Sequence, residues 1–124
     1  MKTILVVDDQ LYIRRLIQTK LQQRGYTVRL AEDGKEAVDK ARAESPDLII
    51  MDIMMPAMDG SEAAEHIRAD ATTAHIPIIF LTELVKKEEE AISGHMIGGN
   101  YFIAKPFRAE ELVGLVGKIL DGQE

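Results

Sequence analysis

Residues 4–10 read "ILVVDDQ": four aliphatic residues in a row, then the adjacent acids Asp8 and Asp9, then Gln10. An unbroken apolar run of this length suits a strand covered on both faces, since a strand with one wet face would alternate apolar and polar residues. Four further short apolar or β-favouring runs recur at Val28–Leu30, Leu48–Met51, Ile78–Leu81 and Tyr101–Ile103. Each is followed by a stretch with helical spacing, which makes five β-then-α units. Strict alternation of this kind predicts α/β architecture: one domain over residues 1–124, with a parallel sheet between two helical layers and right-handed crossovers.

The helices are marked with different clarity. Ile13, Leu16, Ile17 and Leu21 lie on one face of a helix over about 11–24, with Gly25 placed as its left-handed cap. Ala37, Val38 and Ala41 mark a second helix that ends before Ser45-Pro46. Ala63, Ala64 and Ile67 mark a third that begins near Asp59-Gly60. A fourth, around 86–96, has a charged first half, "KKEEE", and an internal Gly94, so its apolar stripe is thin. Leu112, Val116, Ile119 and Leu120 define the fifth.

Composition excludes several classes of function. The chain has 124 residues, 46% of them hydrophobic and 29% charged, which is the balance of a folded domain and not of a disordered one. A net charge of −6 gives no basic field for a phosphate backbone, so direct nucleic-acid binding is not expected. The chain has no cysteine, which removes disulfides, thiolate metal sites and a Cys nucleophile together. No apolar stretch approaches bilayer length, and a cytoplasmic location is the expectation.

In a parallel α/β sheet the residues just after each strand share one edge, where ligands bind. Those residues are Asp8 and Asp9, Asp52, Thr82 and Lys105. Three acids held close together repel one another and drive a carboxyl pKa upward unless cations share the site. One lysine and one dication balance three carboxylates. An all-oxygen donor set without His or Cys selects a hard cation, and Mg2+, which keeps several waters and shares phosphate oxygens, fits such a set. Taken alone, the pair Asp8-Asp9 also reads as ordinary acids at a helix N-terminus, and both readings stay open for that pair.

"VVDDQ", "DIMMPAMDG", "FLTE" and "AKPF", in this order and across essentially the whole chain, resemble the response-regulator receiver domain of two-component signalling, in its stand-alone, CheY-like form. The resemblance implies a flavodoxin-like (βα)5 fold with sheet order 2-1-3-4-5 and no output domain. It makes Asp52 the phospho-acceptor, which takes its phosphoryl group from a phosphohistidine of a sensor histidine kinase or phosphotransfer protein. It implies that Asp8, Asp9, Asp52 and the backbone carbonyl of Met54 hold Mg2+, that Lys105 pairs with phosphoryl oxygens, and that Thr82 donates its hydroxyl to one of them. It implies a cis bond between Lys105 and Pro106 and places Phe102, not Tyr101, at the switching aromatic position. The output is then a change in a protein-binding surface on the fourth helix, fifth strand and fifth helix, read by a downstream target, with the chain monomeric or dimeric on phosphorylation. Membrane insertion is not implied.

Some positions depart from the family's pattern. Glu83 stands where a small residue is usual. Met54 and Leu84, two places after Asp52 and Thr82, are apolar and unable to orient water, so the phosphorylated form is expected to hydrolyse slowly. His66, His75 and His95 lack metal-ligand spacing, and Met51, Met54, Met55 and Met58 are read as packing around a strand end. Two other functions compete. A haloacid-dehalogenase-type phosphatase also uses an Asp nucleophile with Mg2+, but needs a second acid where Met54 stands. An interaction module that no longer takes phosphate would not need all five site residues. A nucleotide or flavin module is disfavoured by the lack of any glycine-rich phosphate loop after the first strand.

Overall fold

The structure, a computed structural model, describes residues 2–82, 96–97 and 100–121. Five strands run parallel: β1 (Thr3–Val7), β2 (Thr27–Ala31), β3 (Leu48–Asp52), β4 (Ile78–Thr82) and β6 (Asn100–Ala104). Their order across the sheet is β2-β1-β3-β4-β6, the 2-1-3-4-5 order implied by the sequence motifs once β6 is counted as the fifth parallel strand. One addition was not anticipated. A two-residue strand β5 (Met96–Ile97) pairs antiparallel with β6 at the sheet edge. Met96, assigned from the sequence to the end of a fourth helix, therefore lies in a strand, and the rest of that expected helix falls outside the described residues. So do Glu83, Leu84, His95 and the "KKEEE" run.

Helices α1 (Leu11–Gln23) and α4 (Ala109–Asp121) cover one sheet face, and α2 (Gly34–Glu44) and α3 (Gly60–Ala69) cover the other. The strands divide their side chains accordingly. Ile4 and Val6 pack with Ile17, Leu21 and Val116, while Leu5 and Val7 pack with Ala37, Ala63 and Ile67. Every residue of β3 and β4 is buried, and each fully buried Ile or Leu contributes roughly 1.5–3 kcal/mol of apolar transfer.

Local sequence sets the helix ends. Asp33 and Asp59 cap α2 and α3 by accepting from the amides of Glu36 at 2.8 Å and Glu62 at 2.9 Å. After α1, Gly25 takes φ +91°, and the amides of Gly25 and Tyr26 close on the carbonyls of Gln22 at 3.0 Å and Leu21 at 3.2 Å, the paired bonds of a left-handed helix stop. Farther along, Arg68 of α3 donates to the carbonyls of Ala74 at 2.8 Å and Ile76 at 2.6 Å and to Asn100 Oδ1 at 2.8 Å, which ties the 70–77 connection to the start of β6. Burial lowers the pKa of that guanidinium.

Candidate functional site

Strand register assembles the site. Val7 pairs with Met51, Asp52 pairs with Leu81, and Thr82 pairs with Ala104. The next residue along each chain is therefore carried to the same sheet edge: Asp8 beside Asp52, then Thr82, then Lys105. Carboxylate oxygens of Asp8, Asp9 and Asp52 lie within 4.8 Å of one another. Asp8 is fully buried, Asp52 is 4% exposed and Asp9 faces solvent. Lys105 Nζ stands 3.3 Å from Asp8 Oδ2 and 3.2 Å from Asp52 Oδ2, bridging the two buried acids. Thr82 is buried at the end of β4, and its carbonyl accepts from the Lys105 amide at 2.9 Å, which locks the two strand ends together. The Lys105–Pro106 peptide bond is cis.

The acid pair does not cap α1. The N-cap is Gln10, with no side-chain capping bond, and the Asp8 carboxylate turns back to accept from the Gln10 amide at 2.9 Å. Ordinary capping thus leaves Asp8 and Asp9 unexplained, while their approach to Asp52 gives them a shared environment. Burial, and then the charge of Asp8, raise the pKa of Asp52 above the usual carboxylate value, and Lys105 opposes both without cancelling them. Burial also acts to lower the Lys105 pKa, but Asp8 and Asp52 together outweigh it and hold the ammonium charged. A cluster with a displaced carboxylate pKa and only oxygen donors fits a hard dication: the charge that would restore Asp52 to its ionised state is a cation within the same few ångströms.

The loop after Asp52 is held close. The Met54 amide donates to Asp52 Oδ1 at 3.2 Å, and the Gly60 amide donates to the Ile53 carbonyl at 2.9 Å. A Cβ at Gly60 would run into the Asp52 carbonyl, so only glycine lets α3 start against the end of β3. Ala57 takes φ +61° in this loop, a left-handed conformation that strains an L-residue by roughly 1–2 kcal/mol. Part of the relief in a glycine variant returns as extra freedom of the unfolded chain. Ala57→Gly is therefore expected to stabilise the fold by about 0.5–1 kcal/mol, read as a higher urea midpoint at an unchanged slope; a lower midpoint would rule out strain at this position.

One sequence assignment changes in detail. Met51 and Met55 are buried, but Met54 is 59% exposed and does not pack around the strand end. His66 and His75 are exposed. Phe102 and Tyr101 face opposite layers: Tyr101 packs with the α1/α4 core, whereas Phe102 packs on the α2/α3 side, its ring 5.5 Å from Phe80 and 29° from parallel. One residue beside the site escaped sequence reasoning. Arg14, on the buried face of α1, is 7% exposed. Its only signal was a basic residue one place after Ile13, inside the apolar stripe.

Residues 4–117 match the family described as the response regulator receiver domain. Among curated relatives, the alkaline phosphatase synthesis transcriptional regulatory protein PhoP of Bacillus subtilis is 40% identical over 124 residues, which are 99% of this chain and 50% of that protein. The probable transcriptional regulator ycf27 of Cyanophora paradoxa is 39% identical over 96% of this chain and 48% of its own length. The chain thus spans about half the length of the curated relatives it matches. Among solved structures, the chemotaxis protein CheY4 of Vibrio cholerae is 34% identical, with 96% of this chain and 98% of that chain covered, at a TM-score of 0.82. The receiver domain of sensor histidine kinase PA1611 of Pseudomonas aeruginosa, which holds a magnesium ion in its active site cleft, is 33% identical over 94% of this chain and 95% of its own, at a TM-score of 0.81. No helix among the described residues is long and apolar enough to cross a membrane. By sequence and by fold, this chain belongs to the response regulator receiver domain family.

Proposed function

We propose that the chain is a phospho-accepting signalling switch in which Asp52 takes a phosphoryl group from a phosphohistidine on a sensor histidine kinase or phosphotransfer protein. The observation that carries this reading is the meeting of Asp8, Asp9 and Asp52 within 4.8 Å, with Lys105 bridging the two buried acids. Asp8, Asp9, Asp52 and the Met54 backbone carbonyl would hold Mg2+. Bound there, the ion supplies positive charge to the transferring phosphoryl oxygens.

The side chains do the rest. An oxygen of Asp52 forms the new bond to phosphorus as the bond from phosphorus to the donor imidazole nitrogen breaks, and the imidazole leaves with that electron pair. A carboxylate is a weak nucleophile, so alignment and charge neutralisation carry the catalysis, and Lys105 is in place for both. The Thr82 hydroxyl then turns to the phosphoryl group. Phe102, lacking a hydroxyl, transmits that movement by packing, and the protein-binding surface that the family resemblance implies on the fourth helix, fifth parallel strand and last helix changes for a downstream target. The phosphodonor approaches over Leu11, Tyr12 and Met54, which are large apolar residues left 51–75% exposed beside the acids in the chain.

Incubation with a small-molecule phosphodonor and Mg2+ tests the reading. A single added phosphate that depends on Mg2+ is expected; repeated turnover without accumulation would indicate a phosphatase, and no uptake would indicate an interaction module. The adduct is expected to be long-lived because the exposed Met54 thioether cannot orient a water. Met54→Asn supplies a polar group there and should shorten its lifetime by about tenfold, below the 10²–10⁴ typical of a full proton-transfer group. An unchanged decay rate would place the control of hydrolysis elsewhere.

A further inference from the structure

Arg14, 7% exposed, is the only arginine or lysine among the described residues that is buried. It occupies a position on α1, between Ile13 and Ile17, where an aliphatic side chain would pack without the desolvation of a guanidinium. Its ion pair does not explain it: Nη2 stands 3.7 Å from a Glu32 carboxylate that is 72% exposed, an arrangement of little value. The stronger contact is Nη1, which donates to the backbone carbonyl of Asp8 at 2.7 Å. That carbonyl lies one residue beyond the ladder. The pairings of β1 with both neighbours end at Val7, and the last bond in line runs from the Asp8 amide to the Ala31 carbonyl at 3.2 Å.

We propose that Arg14 is a positioning residue for the cation site: by holding the Asp8 carbonyl it fixes the peptide plane between Asp8 and Asp9, and so the direction in which both carboxylates leave the strand. This rests on the receiver reading. Two effects of the guanidinium on a bound dication have opposite signs. As a nearby positive charge it disfavours the ion, and removing it should tighten binding. As the clamp on the peptide between the acids it favours the ion, and removing it should weaken binding. The sign of the change therefore identifies the role.

The experiment is a calorimetric titration of the full chain with MgCl2, with the urea midpoint measured alongside in metal-free buffer. Arg14→Met keeps the apolar stem and is expected to raise the Mg2+ dissociation constant roughly tenfold, with phosphate uptake returning toward the unsubstituted rate at saturating Mg2+. Glu32→Gln, which leaves the Asp8 contact in place, should stay within about twofold of the unsubstituted protein. Unchanged or tighter binding in folded Arg14→Met, or an equal effect in Glu32→Gln, overturns the proposal. Should Arg14→Met fail to fold, Arg14→Lys decides, because charge is conserved and any change is geometric. Its shorter stem and single ammonium do not reproduce the Nη1 contact to the Asp8 carbonyl, so binding about threefold weaker is expected and unchanged affinity overturns the assignment. Absence of any Mg2+ response in the unsubstituted protein would sink the receiver reading itself and this inference with it.

Discussion

Asp52→Asn protein, incubated with a phosphodonor and Mg2+, is expected to take up no phosphate and yet to melt at a higher temperature than the unsubstituted chain at pH 7. The first outcome follows from the nucleophile: an amide oxygen cannot form the acyl phosphate, and Asp8, the other buried acid beside Lys105, is 0% exposed where Asp52 keeps 4%. The second follows from the pKa. In the folded protein Asp52 binds its proton more tightly than in the unfolded chain, because burial and Asp8 penalise its charge. Between the ordinary carboxylate value and the raised one, the folded state holds more protons, so stability falls as pH rises through that window and stays lower above it. Replacing the acid removes the penalty. A gain on the order of 1 kcal/mol, or about 3–6 °C, is expected at pH 7 in metal-free buffer. It should shrink as the pH drops toward the ordinary carboxylate value and also when Mg2+ is added, since the ion stabilises only the ionised site. A phosphate adduct on Asp52→Asn would move the acceptor elsewhere, and a variant that melts lower at pH 7 would contradict the electrostatic account.

Lys105→Met should have the second largest effect. It leaves Asp8, which is fully buried, and Asp52, 4% exposed, without the ammonium that stands within 3.3 Å of both. Breaking a fully buried ion pair costs about 3–5 kcal/mol. At a strand end, where the acids can take up protons, roughly 2–3 kcal/mol is expected in metal-free buffer, with much of it regained in MgCl2 because the dication restores the missing charge. Phosphate uptake at saturating Mg2+ should nevertheless fall by about 10²–10³, the effect of losing one preorganised donor to a developing oxyanion. Urea titrations with and without Mg2+ and a single-turnover uptake assay separate the two losses. Uptake within threefold of the unsubstituted rate would remove Lys105 from the transfer step.

Particular elements show what was legible in advance. The five parallel strands lie within one residue at each end of the apolar runs that announced them, from Ile4–Val7 within Thr3–Val7 to Tyr101–Ile103 within Asn100–Ala104. The central strands β1, β3 and β4 are buried on both faces and so apolar nearly throughout, and their signal survives without neighbours. The strand-end residues Asp8, Asp9, Asp52, Thr82 and Lys105 could be collected from sequence because parallel topology puts all carboxyl ends on one edge. Strand β5 could not be foreseen: two residues carry no periodicity, and nothing in them announces an antiparallel pairing with Asn100 and Tyr101. Met54 was grouped with buried methionines because hydrophobicity alone does not say which residues of a tight loop point outward.

Sequence by itself determined the alternation of elements, the fold class and the identity of the side chains at the sheet edge, because periodicity and strand polarity are local properties that the chain carries wherever it goes. Tertiary structure alone decided that Asp8 and Asp9 gather at Asp52 instead of capping α1, that Lys105 bridges the two buried acids, and that Arg14 turns inward to the Asp8 carbonyl. These depend on which groups lose water and which charges then face one another across distances of about 3 Å, and both are settled only when segments far apart in the chain close on the same few ångströms.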